Sequence, residues 1–397
     1  MRTASAESSG GVFVFNRLAV VLMALVAMAG GAAAAKTPPS QTLAPAAMAA
    51  IDAAAAKTLA RSPGMAIEVM RGGRVLFSKA YGMADLEHAA PARTDTVFRI
   101  ASTTKPFTVA AVLQLVQEGK VSLDDRLSKY VPELPQAEKV TLYQLLTHTS
   151  GIPDYAEDPA GAATKAVRRS PAEMVAWIGR LEPRFQFEPG TAWRYSNSNY
   201  WLLGVVVERV RGAPLAQVYR ERLFKPAGLT HTAFDEPADI VPHRARGYRW
   251  SKEAGGFVNA DAISFTMPGP AGGLRSTAHE LAAWSQALMH GRVIGPQMLK
   301  QMTAPGRLAD GRPDRWGMPK EWREGMQADY GMGLFIDARE GVRRVHHSGD
   351  VDGFHSWMAY YPDFDASIVI LMNSESADAP EQAVQAAVLN SLKPRAP

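Results

Sequence analysis

Hydrophobic and polar positions alternate with a period of two near both ends of the chain. Residues 65–70 and 74–81 form two such runs, and Gly72 and Gly73 between them can adopt the positive φ angles of a tight turn, which predicts a β-hairpin. Residues 44–60, in front of the hairpin, are rich in alanine and predict a helix. Four further strand-like runs lie near the other end, at residues 330–336, 342–349, 354–361 and 366–373. Strands from both ends would then form one mostly antiparallel sheet.

The middle of the chain repeats its apolar residues at spacings of three and four, which is typical of helices. We therefore predict an α+β fold in which helices flank the sheet and the middle is mostly helical. The α/β part would cover residues 44–118 and 275–390, and the helical part residues 119–274. Residues 303–327 are polar and rich in Gly, Pro and Arg, with two tryptophans, and are a candidate lid or binding loop.

The first 35 residues differ from everything that follows. Arg2 and Arg17 precede an apolar run at residues 18–28, and small residues lead to Ala35, so residues 1–35 are typical of a secretory signal peptide. The run is shorter than the roughly 20 helical residues that span a bilayer, although an uncleaved anchor is the alternative interpretation. We expect residues 36–390 to form an exported catalytic domain, periplasmic or secreted, with no stable membrane span after cleavage of the signal.

Composition narrows the function classes further. The 397 residues are 47% hydrophobic and 21% charged, with a net charge of +4. The basic residues are scattered among acidic ones, so nothing indicates a nucleic-acid partner. The chain contains no cysteine, which excludes disulfides and thiolate chemistry. The sequence leaves the oligomeric state open.

The stretch FRIASTTKPFTVAAV, residues 98–112, carries the first candidate chemistry. Ser102 and Lys105 are three positions apart at a helix start, so their side chains share one face. A lysine kept neutral by burial can take the proton of a serine nucleophile, and the free N–H groups of the helix start suit an oxyanion. The alternative is a capping serine followed by an unrelated lysine, since Ser-x-x-Lys arises by chance about once in a chain of this size.

A second candidate element is WRYSNSNYWLLG, in which Tyr195 and Asn197 lie just before a predicted helix. A phenol beside a lysine ammonium would ionise more easily and could carry the proton of the serine to a leaving group. Asn197 could donate to a substrate carbonyl or hold Lys105. The alternative is a packing tyrosine and a capping asparagine.

The third element is VHHSGDVDG, in which His347, Ser348 and Gly349 end a strand-like run. Glycine would let a substrate lie close to the strand edge, and the backbone N–H of Asp350 could complete an oxyanion hole. The alternative is an ordinary surface strand end.

The order S-T-T-K, Y-S-N and H-S-G resembles the serine β-lactamase and penicillin-binding-protein superfamily, with its S-x-x-K, S-D-N and K-T-G elements. It looks like the class C β-lactamase-related branch, which includes family VIII esterases, D-aminopeptidases and D,D-carboxypeptidases. The resemblance runs over residues 51–373 and implies a β-lactamase/transpeptidase-like fold. It also implies that Ser102 is acylated, that Lys105 activates it, that Tyr195 carries protons, and that Asn197 and residues 347–350 bind substrate.

Histidine at 347, where β-lactam enzymes have lysine, favours a neutral ester or a peptide amide over penicillin. Asp350 would add to that preference if its side chain faced the cleft. No G-x-S-x-G or H-E-x-x-H element is present. We expect neither a metal nor a cofactor, and as partner a small ester or peptide substrate. Carboxylesterase, D-amino-acid peptidase or D,D-carboxypeptidase, class C-type β-lactamase and an inactive relative that binds peptidoglycan or a protein partner all stay open.

Overall fold

The hairpin near the beginning of the chain forms because Gly72 and Gly73 adopt φ angles of 55° and 76° between two long strands.

The structure is a computed structural model that describes residues 42–339, 341–375 and 379–393. The predicted signal peptide lies outside the described residues, and the predicted domain boundaries stay predictions. The strands are β1 (Gly64–Arg71), β2 (Arg74–Asp85), β3 (Ala90–Pro91), β4 (Phe98–Arg99), β5 (Ala233–Phe234), β6 (Tyr248–Ser251), β7 (Gly256–Asn259), β8 (Leu274–Ser276), β9 (Asp329–Tyr330), β10 (Phe335–Arg339), β11 (Val342–Val351), β12 (Phe354–Tyr361) and β13 (Ala366–Met372).

One eight-stranded antiparallel sheet joins the two ends of the chain in the order β3-β2-β1-β13-β12-β11-β10-β9. The two ends meet where β1 pairs with β13, with Ile67 opposite Ile370. Every residue of β13 is buried because helices cover both faces of the sheet, which explains its continuous apolar sequence ASIVILM. The predicted α+β class and the sheet built from both chain ends are confirmed.

Helices pack on both faces of the sheet and fill the middle of the chain. α1 and α13 cover one face, where Ile51 and Val388 pack against Ile368, and we call this the back face. α2 and α10 lie on the other, front face. The helices are α1 (Pro45–Thr58), α2 (Lys105–Gln117), α3 (Leu142–Leu146), α4 (Pro159–Ala163), α5 (Pro171–Ile178), α6 (Asn197–Arg211), α7 (Leu215–Tyr219), α8 (Lys225–Ala227), α9 (Gly269–Gly272), α10 (Ala278–Met289), α11 (Pro296–Met302), α12 (Lys320–Met326) and α13 (Glu381–Leu392). Among the described residues, no helix has the length and apolar character that crossing a bilayer requires.

Two predicted elements differ from the structure. The run 330–336 was predicted as one strand, but it divides between β9 and β10, because Gly333 has a φ of 74° and bends the chain between them. The segment 303–327 was predicted as a candidate lid or binding loop, but it contains a short 3-10 turn at Asp314–Gly317 and helix α12. This segment therefore has secondary structure of its own.

Candidate active site

Ser102 lies in a single 3-10 turn between a short strand and a buried helix. β4 ends at Arg99, the turn covers Ala101–Thr104, and α2 begins at Lys105 with a proline in its first turn. Ala101 has a φ of 44°, a conformation that costs a non-glycine residue on the order of 1 kcal/mol. The hydroxyl of Thr103 donates to the carbonyl of Ile100 at 2.6 Å and holds the turn closed. This rigid turn presents Ser102 at the start of α2.

Lys105 is completely buried beside the serine. Its Nζ lies 3.0 Å from Ser102 Oγ, 2.8 Å from Asn197 Oδ1 and 2.8 Å from the carbonyl oxygen of Ala271. Burial lowers the pKa of Lys105 to about 7, although the nearby Asp154 carboxylate opposes this change. The neutral amine has two N–H groups and one lone pair. When the N–H groups donate to Asn197 and Ala271, the lone pair is left for the hydroxyl hydrogen of Ser102.

The amide of Asn197 has a fixed orientation because it lies between Lys105 and Asp154. Its Nδ2 donates to Asp154 Oδ2 at 2.8 Å, so its oxygen faces the lysine. Burial raises the pKa of Asp154, whose other oxygen accepts from the backbone N–H of Ala156. Sequence reasoning missed Asp154, because an aspartate in GIPDY has the appearance of an ordinary helix cap. A buried carboxylate linked to the lysine through one amide tunes the charge of that lysine.

Tyr195 immediately precedes α6 and completes the group around Ser102. Its hydroxyl is hydrogen-bonded to Ser102, and Lys105 Nζ lies 4.6 Å from its ring centroid. Burial raises the pKa of Tyr195 well above its usual value, which outweighs the opposite effect of the hydrogen bond with Ser102. The expectation that the lysine would favour the phenolate is therefore wrong, because loss of hydration has the larger effect. Tyr195 is therefore neutral in the resting site.

His347 lies behind Tyr195 and is only 2% exposed, so a substrate group has little direct access to it. Its Nδ1–H donates to the carbonyl of Ser348, which leaves Nε2 to accept from the Tyr330 hydroxyl at 3.4 Å. Burial, with a smaller effect from Lys105, lowers the pKa of His347 to about 3. His347 is therefore neutral and its ring lies 6.2 Å from that of Tyr195 between centroids, whereas the sequence predicted direct binding of substrate.

The strand β11 brings Gly349 directly against the nucleophile. A Cβ atom on Gly349 would lie 2.5 Å from the backbone nitrogen of Ser102 and 2.6 Å from the carbonyl oxygen of Ile100. β10 pairs with β11 only up to His346, so from residue 347 onward this edge of β11 pairs with no strand that the structure describes. Glycine is required here because two backbones meet at van der Waals distance.

Side chains alternate along β11, and this corrects two predictions. Ser348 lies opposite Trp357 and Asp350 lies opposite His355, so both side chains point to the back face. Asp350 Oδ1 is 2.8 Å from Nδ1 of His355, whose Nε2 is 2.7 Å from Glu381. The carboxylate of Asp350 is therefore held away from the cleft. Only the backbones of residues 348 and 350 remain available to a substrate.

The cleft at Ser102 has a volume of about 140 Å³ and mostly apolar walls. Among the described residues that line it, none is a lysine, an arginine or a histidine, and the one acidic residue is Asp350. On the side of Tyr195, Trp322 of α12 stacks at 6.2 Å between ring centroids. The segment 303–327 thus reaches Tyr195 through Trp322. The apolar side chains of the cleft are those of Ala101, Ala156, Ile263, Met267, Pro268, Ala271 and Val351.

Comparison with known proteins gives the family of the chain. The family profile described as Beta-lactamase matches residues 51–391. The chain belongs to this β-lactamase family. Its serine hydrolases include the penicillin-binding proteins, and the resemblance seen in the sequence is confirmed.

Relatives of this β-lactamase-family chain cover most of its length. A penicillin-binding protein of Bacillus subtilis strain 168 is 28% identical over 327 residues, which are 79% of this chain and 68% of the relative. The chain spans between 58% and 68% of the length of the first curated relatives that it matches. The D-stereospecific amidohydrolase from Streptomyces sp. is 27% identical with a TM-score of 0.72, over 86% of this chain and 98% of that chain. The D-amino acid amidase from Ochrobactrum anthropi SV3, complexed with L-phenylalanine amide, is 25% identical with a TM-score of 0.72, over 88% of this chain and 99% of that chain.

Proposed function

We propose that this protein is an exported serine hydrolase that cleaves an ester or amide with no carboxylate beside the scissile bond, through an acyl-enzyme on Ser102. The observation that carries this proposal is the arrangement at Ser102 Oγ. The hydroxyl contacts a buried lysine with a lowered pKa and a neutral tyrosine, at a cleft whose described walls hold no cationic side chain.

Acylation starts with proton transfer from Ser102 to Lys105. The lone pair of the neutral amine accepts the hydroxyl proton as Oγ bonds to the substrate carbonyl carbon. The resulting ammonium keeps the acceptors Asn197 and Ala271. The buried Asp154 carboxylate offsets part of the cost of that new charge.

The backbone N–H groups of Ser102 and Asp350 form the proposed oxyanion hole. Gly349 sets their separation, because it packs against the nitrogen of Ser102. Donors fixed before the reaction lower the barrier because no reorganisation is needed as charge develops. Tyr195 donates its hydroxyl proton to the leaving group, and the ammonium of Lys105 stabilises the phenolate. In deacylation the phenolate takes a proton from the attacking water, and Lys105 returns its proton to Oγ of Ser102.

The electrostatics of the cleft support substrates that carry no anionic group next to the scissile bond. A penicillin carries a carboxylate close to the scissile bond, and here the neutral His347 stands where β-lactam enzymes have lysine. A short-chain carboxylic ester suits the small apolar cleft. A D-amino-acid amide or peptide is the second candidate, supported by the D-stereospecific amidohydrolase and the D-amino acid amidase among the similar structures.

The proposed acyl-enzyme is tested by labelling the purified protein with a fluorophosphonate and measuring its intact mass. We expect one adduct, which Ser102→Ala abolishes. No adduct, or an adduct that survives Ser102→Ala, would contradict the mechanism and favour an inactive binding relative. We further expect a higher kcat/KM for a short-chain nitrophenyl ester than for nitrocefin. The reverse order would favour a class C-type β-lactamase, and D-phenylalanine amide tests the amidase alternative.

Export is tested by N-terminal sequencing of protein recovered from the periplasm or medium of expressing cells. We expect the mature chain to begin close to residue 36. A chain that retains residues 1–35 and sediments with membranes would favour the uncleaved anchor.

A further inference from the structure

A second cavity of about 540 Å³ lies next to the cleft at Ser102. The two cavities share Ile263, and β11 leads from one to the other, since Val351 lines the cleft and Asp352 lines the second cavity. We call this second cavity the arginine pocket and define it by Arg99, Arg244, Ile263, Asp352 and Phe354. A substrate that fills the small cleft can extend past Ile263 into the arginine pocket.

The position of Tyr195 decides which half of the substrate would reach that pocket. A residue that protonates the leaving group must lie on the leaving-group side of the scissile bond. Neither Tyr195 nor His347 lines the cleft that continues to Ile263 and Val351. The acyl group therefore points toward the arginine pocket, and the leaving group points toward Tyr195 and Trp322.

Arg99 presents a rigid guanidinium to this pocket. Its Nε donates to Asp235 at 2.8 Å, and the guanidinium carbon lies 3.7 Å and 5.4 Å from the ring centroids of Phe265 and Phe354. No hydrogen bond joins either Nη group of Arg99 to any residue that the structure describes. Two oriented N–H donors on a clamped cation match the two oxygens of a carboxylate.

The Asp235 carboxylate, which Arg99 contacts, also contacts two other arginines. Asp235 is 1% exposed and also lies 3.0 Å from Arg244 and 3.4 Å from Arg275. Three guanidinium groups surround this one buried carboxylate, so this wall carries excess positive charge. Asp239, 2.8 Å from Arg275, offsets the charge of one of the three. Anionic groups are favoured where such an excess meets a cavity.

The acidic residues of the pocket are held by other cations. Lys165 Nζ lies 2.8 Å from Asp352 and 2.9 Å from Asp261. Glu236 lies 3.1 Å from Arg168. These three carboxylates therefore leave the Nη groups of Arg99 free, although Asp352 is close enough to Arg99 to weaken its attraction for an anion.

We propose that Arg99 binds a carboxylate at the far end of the acyl group, so that the substrates are esters or amides of acyl chains that end in an acid. This inference rests on the proposed acyl-enzyme at Ser102. It agrees with a neutral reacting centre, because the charge lies on the acyl chain beyond Ile263 and away from the scissile bond.

The test compares nitrophenyl monoesters of succinate, glutarate, adipate, pimelate and suberate with their methyl-capped diesters of the same length. We expect kcat/KM to favour the free acid by about tenfold or more at one chain length, the usual effect of a charge-assisted hydrogen-bonded pair. Arg99→Gln should bring this ratio close to unity, and Arg99→Lys should retain part of it. The ratio is taken within one enzyme, so a general loss of activity cancels. No preference at any length, or an unchanged ratio in Arg99→Gln, would overturn the inference.

Two further measurements keep the test decisive. Asp352→Asn removes the competing carboxylate, which lies in the turn after β11, and should raise the ratio even if Arg99→Gln fails to fold. An unchanged ratio would count against the pocket. Calorimetric titration of Ser102→Ala with the free dicarboxylates measures the subsite without catalysis. If the dicarboxylate binds and Arg99→Gln weakens this binding by about tenfold, the inference is supported. This holds even if no ester is hydrolysed, an outcome that would contradict only the proposed acyl-enzyme. Absence of binding overturns the inference.

Discussion

Replacing Gly349 by alanine tests whether contact between two backbones sets the oxyanion hole. The new Cβ would lie 2.5 Å from Ser102 N, 2.6 Å from Ile100 O and 2.8 Å from Ser356 Oγ, and two of these three atoms belong to the backbone. Real Cβ atoms essentially never lie closer than 3.0 Å to such an atom. The distance from the new Cβ to Ser102 N must therefore increase by at least about 0.5 Å. β11 or the Ser102 turn has to move, and with it one of the proposed oxyanion donors.

Loss of one oxyanion donor lowers kcat by on the order of 10²-fold, which corresponds to about 2.7 kcal/mol of transition-state stabilisation. We therefore expect Gly349→Ala to lower kcat for a nitrophenyl ester by about this factor, with a much smaller change in KM. Gly256→Ala is the matched control, because Gly256 is also a strand glycine and its added Cβ meets no atom within 4 Å. Near-normal kcat in a folded Gly349→Ala protein would refute the reasoning.

Three further predictions concern protons. The rate constant kcat/KM should rise with pH through a midpoint near 7, because Lys105 must be neutral to accept the serine proton. Asp154→Asn should move this midpoint to lower pH, because it removes the charge that raises the lysine pKa. An unshifted pH profile would exclude this coupling between Asp154 and Lys105. Tyr195→Phe should lower kcat by about 10²-fold or more, as for a lost general acid, and full turnover in steady-state assays would reject Tyr195 as proton carrier. Burial alone would lower the pKa of His355, but hydrogen bonds with Asp350 and Glu381 raise it to about 9. The stabilisation from this imidazolium is complete below pH 6.5 and is lost as pH rises through 9. The Tm of the native protein should therefore fall over this range relative to the Tm of His355→Gln, which lacks this contribution.

The local features of the fold follow from the sequence because they depend on neighbouring residues. The hairpin at Gly72 and Gly73 needs only two residues that accept positive φ. Ser102 and Lys105 meet because a turn of helix places positions three apart on one face. The bend at Gly333 was missed, since a glycine within an apolar run does not show whether the strand continues.

The charge states of the site follow from contacts between distant segments. Lys105 and Asp154 are 49 positions apart in sequence, and only the packing of α2, α6 and α9 removes water from the lysine and so lowers its pKa. The same packing keeps Tyr195 protonated, against the sequence-based expectation. Desolvation depends on everything that surrounds a group, which no local pattern encodes.

The sequence by itself determined that Ser102, Lys105 and Tyr195 belong to one site and that Ser102 adjoins Lys105, but it did not reveal Asp154. The tertiary structure decided which way the other groups point. Pairing of β11 with β12 turns Asp350 to the back face and presses Gly349 against Ser102. Strand alternation fixes the relative faces of neighbouring residues, but the face that meets the nucleophile is set by the partner strand and the helices that cover it.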